Sequence, residues 1–295
     1  MEVTALYTAE RILALVGLGF ATGAYGTIIG AGGGFVLMPL LLLLYPTESP
    51  EVLTSISLAV VFFNALSGSE AYAMMRRIDY RAGLIFAVAT IPGAIIGALN
   101  TSYVPRKLFD TIFAVLLLGG AAFLSLHPNF KEKVQKEHGQ GHHQVTHHLV
   151  EADGVSHTYS FNRLLGITLS FFVGYISSFL GIGGGIIHVP ALVYLLHFTV
   201  HIATATSHFI LAIMALTGTV VHMVTGIFVH GVHRTVSPAI GVVIDAQVGV
   251  HLSPKIKSNW IIRSLAPAPG LVGIRFLMVL FQEKGENNRT SSAYG

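Results

Sequence analysis

Two glycine clusters, Gly30-Ala-Gly-Gly-Gly-Phe-Val-Leu-Met-Pro39 and Gly181-Ile-Gly-Gly-Gly-Ile-Ile-His-Val-Pro190, share a G-x-G-G-G-x-x-x-x-P framework 151 positions apart. A glycine triplet permits a turn with φ > 0 and leaves backbone N–H groups uncovered by side chains. Where a helix starts directly after such a turn, those N–H groups and the positive end of the helix dipole face whatever occupies it. Gly32, Gly33, Gly34, Gly183, Gly184 and Gly185 are therefore candidate donors to an anion, with no obligatory cation. Close helix packing through small residues is the other reading of the same glycines and stays open.

The correspondence extends past the prolines at an offset of 150, pairing Thr54 with Thr204, Ser57 with Ser207, and Ser67-Gly68 with Thr217-Gly218. Hydroxyls donate to anionic oxygens without the cost of a buried charge, which makes Ser57, Thr204, Thr206 and Ser207 substrate-binding candidates. Hydroxyls in membrane helices also bond back to their own or a neighbouring helix. His208 joins the candidates beside Ser207, although its counterpart is Leu58. Asp245 is the one carboxylate deep in a predicted span of the second half, a proton-coupling candidate. A structural pairing with Gln247 or His222 is its alternative. His188 stands opposite Leu37, where it would tune substrate choice, sense pH or bond to a neighbouring helix. Glu70 and Arg275 lie near span ends, where long side chains snorkel to the interface. Gly97 reads as a glycine of an ordinary span.

His138, His142, His143, His147, His148 and His157 crowd one polar stretch and invite a metal reading. Gly139 and Gly141 weaken any helical face that would align them, and no cysteine accompanies them. The stretch is read as a solvated, flexible loop with no metal site, so deleting 138–148 is expected to leave function intact.

These residues need elements to hold them, and the composition says which. Only 11% of residues are charged, 53% are hydrophobic and the mean hydropathy is +0.69. Between Arg163 and Arg234 lie 70 residues without Asp, Glu, Lys or Arg. Such a chain faces lipid. Predicted spans cover 12–29, 52–75, 82–99, 108–126, 164–180, 203–229, 237–252 and 261–281, most of them near the ~20 residues a ~30 Å hydrocarbon layer requires. Two apolar arms, 35–45 and 186–198, are short for independent crossings. The first span continues far past signal-peptide length and is read as retained.

The expected fold is an all-α polytopic membrane protein of two homologous halves. Each half has four to five transmembrane segments and a Gly-rich broken or re-entrant helix. The divisions are 1–127 (first repeat), 128–162 (polar His-rich connector), 163–282 (second repeat) and 283–295 (polar tail). If the arms do not cross, the halves run parallel; if they do, the halves are inverted. The distribution of Lys and Arg puts the connector in the cytoplasm in both cases. The bases lie in short connections beside apolar spans, so the net charge of +3 points to a juxtamembrane role and not to nucleic acid.

The duplicated G-x-G-G-G-x-x-x-x-P framework, followed by a small Thr/Ser segment (Thr204-Ala-Thr-Ser207), is similar to the sulfite exporter TauE/SafE family, also described as a toluene-sulfonate uptake permease family. The similarity covers almost the whole chain apart from the connector and the tail. It implies a secondary carrier of sulfur-containing anions such as sulfite, sulfonates or sulfoacetate, in a prokaryotic plasma membrane. Broken helices at corresponding positions of two repeats point to a binding site worked by alternating access. Asp245 departs from the small-residue pattern expected at its place. No GxSxG, HExxH or P-loop sequence is present, so neither an enzyme nor a resident cofactor is expected. The competing readings are a divalent-metal transporter built on the histidines and a membrane scaffold; a homodimer stays open.

Overall fold

The computed structural model describes residues 9–126 and 144–230, with scattered positions from 235 to 260. The fold is mostly helical, a polytopic membrane protein. Its elements are α1 (Ala9–Ile29), α2 (Gly34–Leu44), α3 (Pro50–Met74), α4 (Tyr80–Thr101), α5 (Arg106–Leu126), β1 (Gln144–Val150), β2 (Ser156–Asn162), α6 (Arg163–Leu180), α7 (Gly185–Tyr194) and α8 (Val200–Val224). Four of them, α3, α4, α6 and α8, are long and apolar enough to cross a membrane. Asp245, Arg275, the histidines at 138, 142 and 143, and most of the last two expected spans lie outside the described residues.

Helix boundaries follow local chemistry. Pro50 opens α3 at a position where its missing N–H costs nothing. Asp79 caps α4 by accepting from the Ala82 N–H at 3.0 Å, and Asn162 caps α6 on the N–H groups of Leu164 and Leu165. By contrast, α2 and α7 begin at Gly34 and Gly185 with no side-chain cap and no acidic residue in the first turn.

The packing directions can be read from where glycines meet their neighbours. Gly68 of α3 faces His208 of α8, and Gly218 of α8 faces Leu58 of α3, so these two helices run antiparallel. Gly93 and Gly97 of α4 press on the α6 backbone at Phe171 and Tyr175, and Thr101 Oγ1 donates to Phe179 O at 3.0 Å, so α4 and α6 run parallel. Gly97 is thus a close-packing position, unlike the ordinary span glycine expected from sequence: a Cβ there would lie 2.2 Å from Tyr175 O.

Each short helix folds back along the helix before it. Gly33 lies against Gly26 and the Tyr25 and Phe35 rings are 5.9 Å apart, while Ser170 Oγ meets His188 Nε2 at 3.3 Å and Gly166 approaches Leu196. The outer ends of α2 and α7 lie at opposite ends of α3. Beyond α2, the Arg106 guanidinium donates to Leu42 O at 2.9 Å and to Glu48 O at 2.6 Å, and Glu48 precedes Ser49, the N-cap of α3. Beyond α7, the Phe198 ring packs tilted against Tyr159 of β2 with centroids 4.4 Å apart, on the hairpin that joins the far end of α3 through Ala152 N–H to Met75 O at 3.1 Å.

That hairpin corrects the expectation of an all-α fold with a solvated connector. β1 and β2 pair antiparallel with Val145 opposite Phe161, His147 opposite Tyr159 and Leu149 opposite His157. Those six residues form its inner face. Tyr159 and Phe161 are buried, and the Asp153-Gly154 turn has Gly154 at φ +89°. Two histidines and a tyrosine on the inward positions disguise the period-2 pattern, because His147 and Tyr159 face Asp79 of the bundle and His157 faces Glu151 of the hairpin loop.

Candidate functional site

The two glycine turns are buried and touch each other. A Cβ on Gly185 would lie 2.2 Å from Gly30 O and 2.4 Å from Ala31 Cα, and one on Gly34 would lie 2.7 Å from Ile182 O. Only glycine permits this approach. Backbone conformation demands it as well, since Gly30, Gly32, Gly33, Gly181, Gly183 and Gly184 all have φ between +68° and +80°. Gly33 and Gly184 are the left-handed residues from which α2 and α7 start, at φ +73° and +76°. Two uncapped helix N-termini, each a partial positive charge, therefore open beside the same contact.

Ser57 and Ser207 hold these turns, each reaching across to the turn of the other half. Ser57 Oγ donates to Gly181 O at 2.6 Å, and Ser207 Oγ donates to Gly30 O at 3.2 Å. A hydroxyl has one proton to donate. In this conformation both candidates direct it at the backbone and not at a ligand, so they position the turns. Thr206 lies elsewhere: its Oγ1 accepts from the Asp79 N–H at 3.1 Å, joining α8 to the start of α4. His208 is fully buried against Gly68, with its ring edge-on to Tyr72 at 5.6 Å, on the α3–α8 seam. His188 is spent on Ser170 between α7 and α6.

Among the described residues no group of three or more His, Asp or Glu side chains is placed to hold a metal ion. The connector histidines that are described have separate partners: Asp79 for His147 at 2.5 Å, Thr158 for His148 at 2.8 Å and Glu151 for His157 at 2.8 Å. Of these, the His147–Asp79 contact docks the hairpin on the bundle, whereas the other two lie within the hairpin. Asp79 also accepts from Tyr159 Oη at 2.7 Å, and Arg77 Nε pairs with Glu151 at 2.6 Å. Burial, then the Asp79 charge, hold the Tyr159 hydroxyl protonated well above its ordinary range.

Sequence reasoning missed the docked Arg77, Asp79 and Glu151. It also missed Ser177, whose Oγ lies 2.6 Å from where a Gly184 Cβ would sit. Its place four residues before Gly181, equivalent to Gly26 before Gly30, was the available signal. A surface groove of about 420 Å³ lined by Phe62, Leu66, Glu70, Tyr80 and Phe209 lies apart from the glycine turns.

A family model described as sulfite exporter TauE/SafE matches residues 15–276. The chain is 34% identical over 218 residues to the probable membrane transporter protein YunE of Bacillus subtilis, covering 72% of this chain and 78% of that protein. It is 20% identical over 276 residues to the probable membrane transporter protein MJ0441 of Methanocaldococcus jannaschii, covering 90% and 94%. A further relative, the probable membrane transporter protein YdhB of Bacillus subtilis, is 28% identical over 241 residues, covering 80% and 89%. No solved structure matches at a significant level.

Proposed function

Because the chain belongs to the sulfite exporter TauE/SafE family, we propose that it is a secondary carrier of sulfur-containing anions such as sulfite, sulfonates or sulfoacetate in the cell membrane. It works by alternating access around the two glycine turns, with Gly33, Gly34, Gly183 and Gly184 supplying backbone donors to the anion, since the Gly32 and Gly185 N–H groups already donate to Gly26 O at 3.2 Å and Gly183 O at 3.0 Å. The observation that carries this reading is the contact of the two turns, with an uncapped helix N-terminus opening at each. Two like partial charges side by side are relieved by an anion between them.

The halves are inverted repeats. The antiparallel run of α3 against α8, which are equivalent under the offset of 150, supports this, as do the reciprocal Ser57–Gly181 and Ser207–Gly30 bonds. Inversion does not require the short arms to cross, because α1–α2 and α6–α7 are re-entrant hairpins entering from opposite faces. The 11 residues of α2 and 10 of α7 rise about 15 Å each, half of a ~30 Å hydrocarbon layer. Gly32 against Leu211 and Gly183 against Val61, each near the middle of a spanning helix, support tips that meet near the midplane. Asp245 remains the proton-coupling candidate.

The test is flux of labelled sulfite into proteoliposomes holding the purified chain, with divalent cations as competitors. Uptake or release that sulfonates inhibit and cations leave unchanged is the expected result. Cation flux without sulfite flux would make the chain a metal carrier, and no flux of either would leave a scaffold.

A further inference from the structure

The two glycine turns are not equivalent, and the difference lies in the polar atoms around them. Ser177 and Ser178 occupy the positions that Gly26 and Thr27 hold 151 residues earlier; Thr54 and His222 correspond to Thr204 and Tyr72 at 150. Around the first turn this set is satisfied. Among the described residues the one orphaned side chain beside it is His208, whose counterpart is Leu58 and whose two ring nitrogens lie unpartnered on the α3–α8 seam against Gly68. Thr27 Oγ1 exchanges hydrogen bonds with Asn64, Asn64 Nδ2 lying 3.0 Å away; Tyr72 Oη donates to Thr27 O at 3.0 Å; and Thr204 Oγ1 donates to Val200 O at 2.8 Å. Gly26 has no polar side chain to satisfy, and a Cβ there would lie 1.9 Å from Gly33 N, so the backbone itself closes this turn.

Around the second turn the equivalents are all orphaned. Thr54 Oγ1, Ser177 Oγ, Ser178 Oγ and both ring nitrogens of His222 have no hydrogen-bond partner among the described residues, and all four side chains are completely buried. They lie along the seams where α6 meets α7, α3 and α8, and Ser177 is the one aimed at the start of α7. Ser177 Oγ is aimed at Gly184, 2.6 Å from its Cβ position; Thr54 lies against Gly181; Ser178 Oγ is 3.2 Å from the Cβ position of Gly218. His222 stands one helical turn beyond Gly218 on the same face of α8. Unsatisfied buried donors are costly and rare, and several at one place call for an occupant.

We infer that the α6–α7 turn is the single oxyanion subsite of the carrier, with Ser177 as a direct donor to the substrate and Thr54 at its rim. This rests on the proposed function and narrows it: one anionic headgroup per chain, in the second half, held by neutral hydroxyls and the amides opening α7. The donor set has no Lys or Arg. It suits a compact headgroup with several acceptor oxygens, of the –SO₃⁻ kind, and the first turn serves as the packed surface against which it closes.

The test compares sulfite transport by the full chain, Ser177→Ala, Thr54→Val and Ser55→Ala in proteoliposomes. Ser55 is equally buried on α3 but satisfied by Val52 O at 2.7 Å. Ser177→Ala and Thr54→Val are expected to raise the KM for sulfite about tenfold, the loss appropriate to one hydrogen bond to a charged oxygen, with maximal rate within about twofold. Ser55→Ala keeps the wild-type KM. Thermal unfolding in detergent gives a second readout: without sulfite Ser177→Ala melts no lower than the parent, and it loses the sulfite-dependent upward shift the parent shows. If the parent carries sulfite and both site variants keep its KM, the subsite lies elsewhere and the carrier reading stands. If the parent shows neither sulfite flux nor a thermal shift, both readings fall.

Discussion

Gly184 and Gly33 are the residues whose replacement separates an anion-holding turn from simple close packing. A valine at either position is strained by about 1–3 kcal/mol at positive φ, and at Gly184 its Cβ would also lie 2.6 Å from Ser177 Oγ. Gly33→Val and Gly184→Val are expected to abolish sulfite flux, whereas Gly119→Val on α5, where no heavy atom lies within 4 Å of a Cβ, retains it. Flux at matched membrane insertion checks this, and wild-type rates in both turn variants would sink the anion role. Ser57→Ala and Ser207→Ala probe the locks. Each strands a buried glycine carbonyl at a cost of about 1–3 kcal/mol, and the shorter Ser57 bond predicts the larger drop in thermal midpoint. Equal midpoints for parent and variants would show that the bonds contribute nothing. The glycines and the paired serines were legible in the sequence because they repeat. Which turn each serine serves was not: an internal repeat relates Ser57 to Ser207 but carries no record of how antiparallel helices exchange contacts.

The helices were legible to within a few residues, since their caps and hydropathy are local. The hairpin was not, because its inner face carries His147, His157 and Tyr159, and its reason for burying them is Asp79 and Arg77 at the α3–α4 connection. Asp79 meets His147 and Tyr159, and Arg77 pairs with Glu151 of the hairpin loop, which also holds His157. The expectation that 138–148 is dispensable changes accordingly. Deleting it removes most of β1 and uncovers Tyr159 and Phe161, so the variant is expected to melt lower and to be cleaved faster by protease between 149 and 162. Unchanged proteolysis would mean that the hairpin does not dock. Titration sets the sign of a second effect. The Tyr159 hydroxyl is held protonated above its ordinary value in the fold, while the unfolded segment ionises near 10. Docking is therefore fully present below about pH 10 and weakens as pH rises beyond it. Tyr159→Phe should flatten that alkaline loss of protection, which hydrogen exchange of β2 amides can follow.

On the scale of the whole molecule, the chain contains no cysteine, so single introduced thiols report on sidedness without background. Glu48→Cys, beyond α2, and Asp153→Cys, on the hairpin turn, should react with an impermeant maleimide from opposite faces of sealed vesicles. Labelling from one face would refute the inverted arrangement. Counting Lys and Arg could not reach the proposed topology, because it took 12–29 and 164–180 as full crossings and left only the short arms re-entrant. The exchanged serines also set an order in time. The Gly30 carbonyl leaves the ribosome 177 residues before its partner Ser207, and Ser57 waits 124 residues for Gly181. On the proposed re-entrant arrangement, the first half is inserted during synthesis with its tip unlocked, and the lock forms when the second half arrives to clasp it. On the proposed division neither half supplies the serine that locks its own turn; supplied as two separate polypeptides, they would have to find each other within the bilayer before either lock could form.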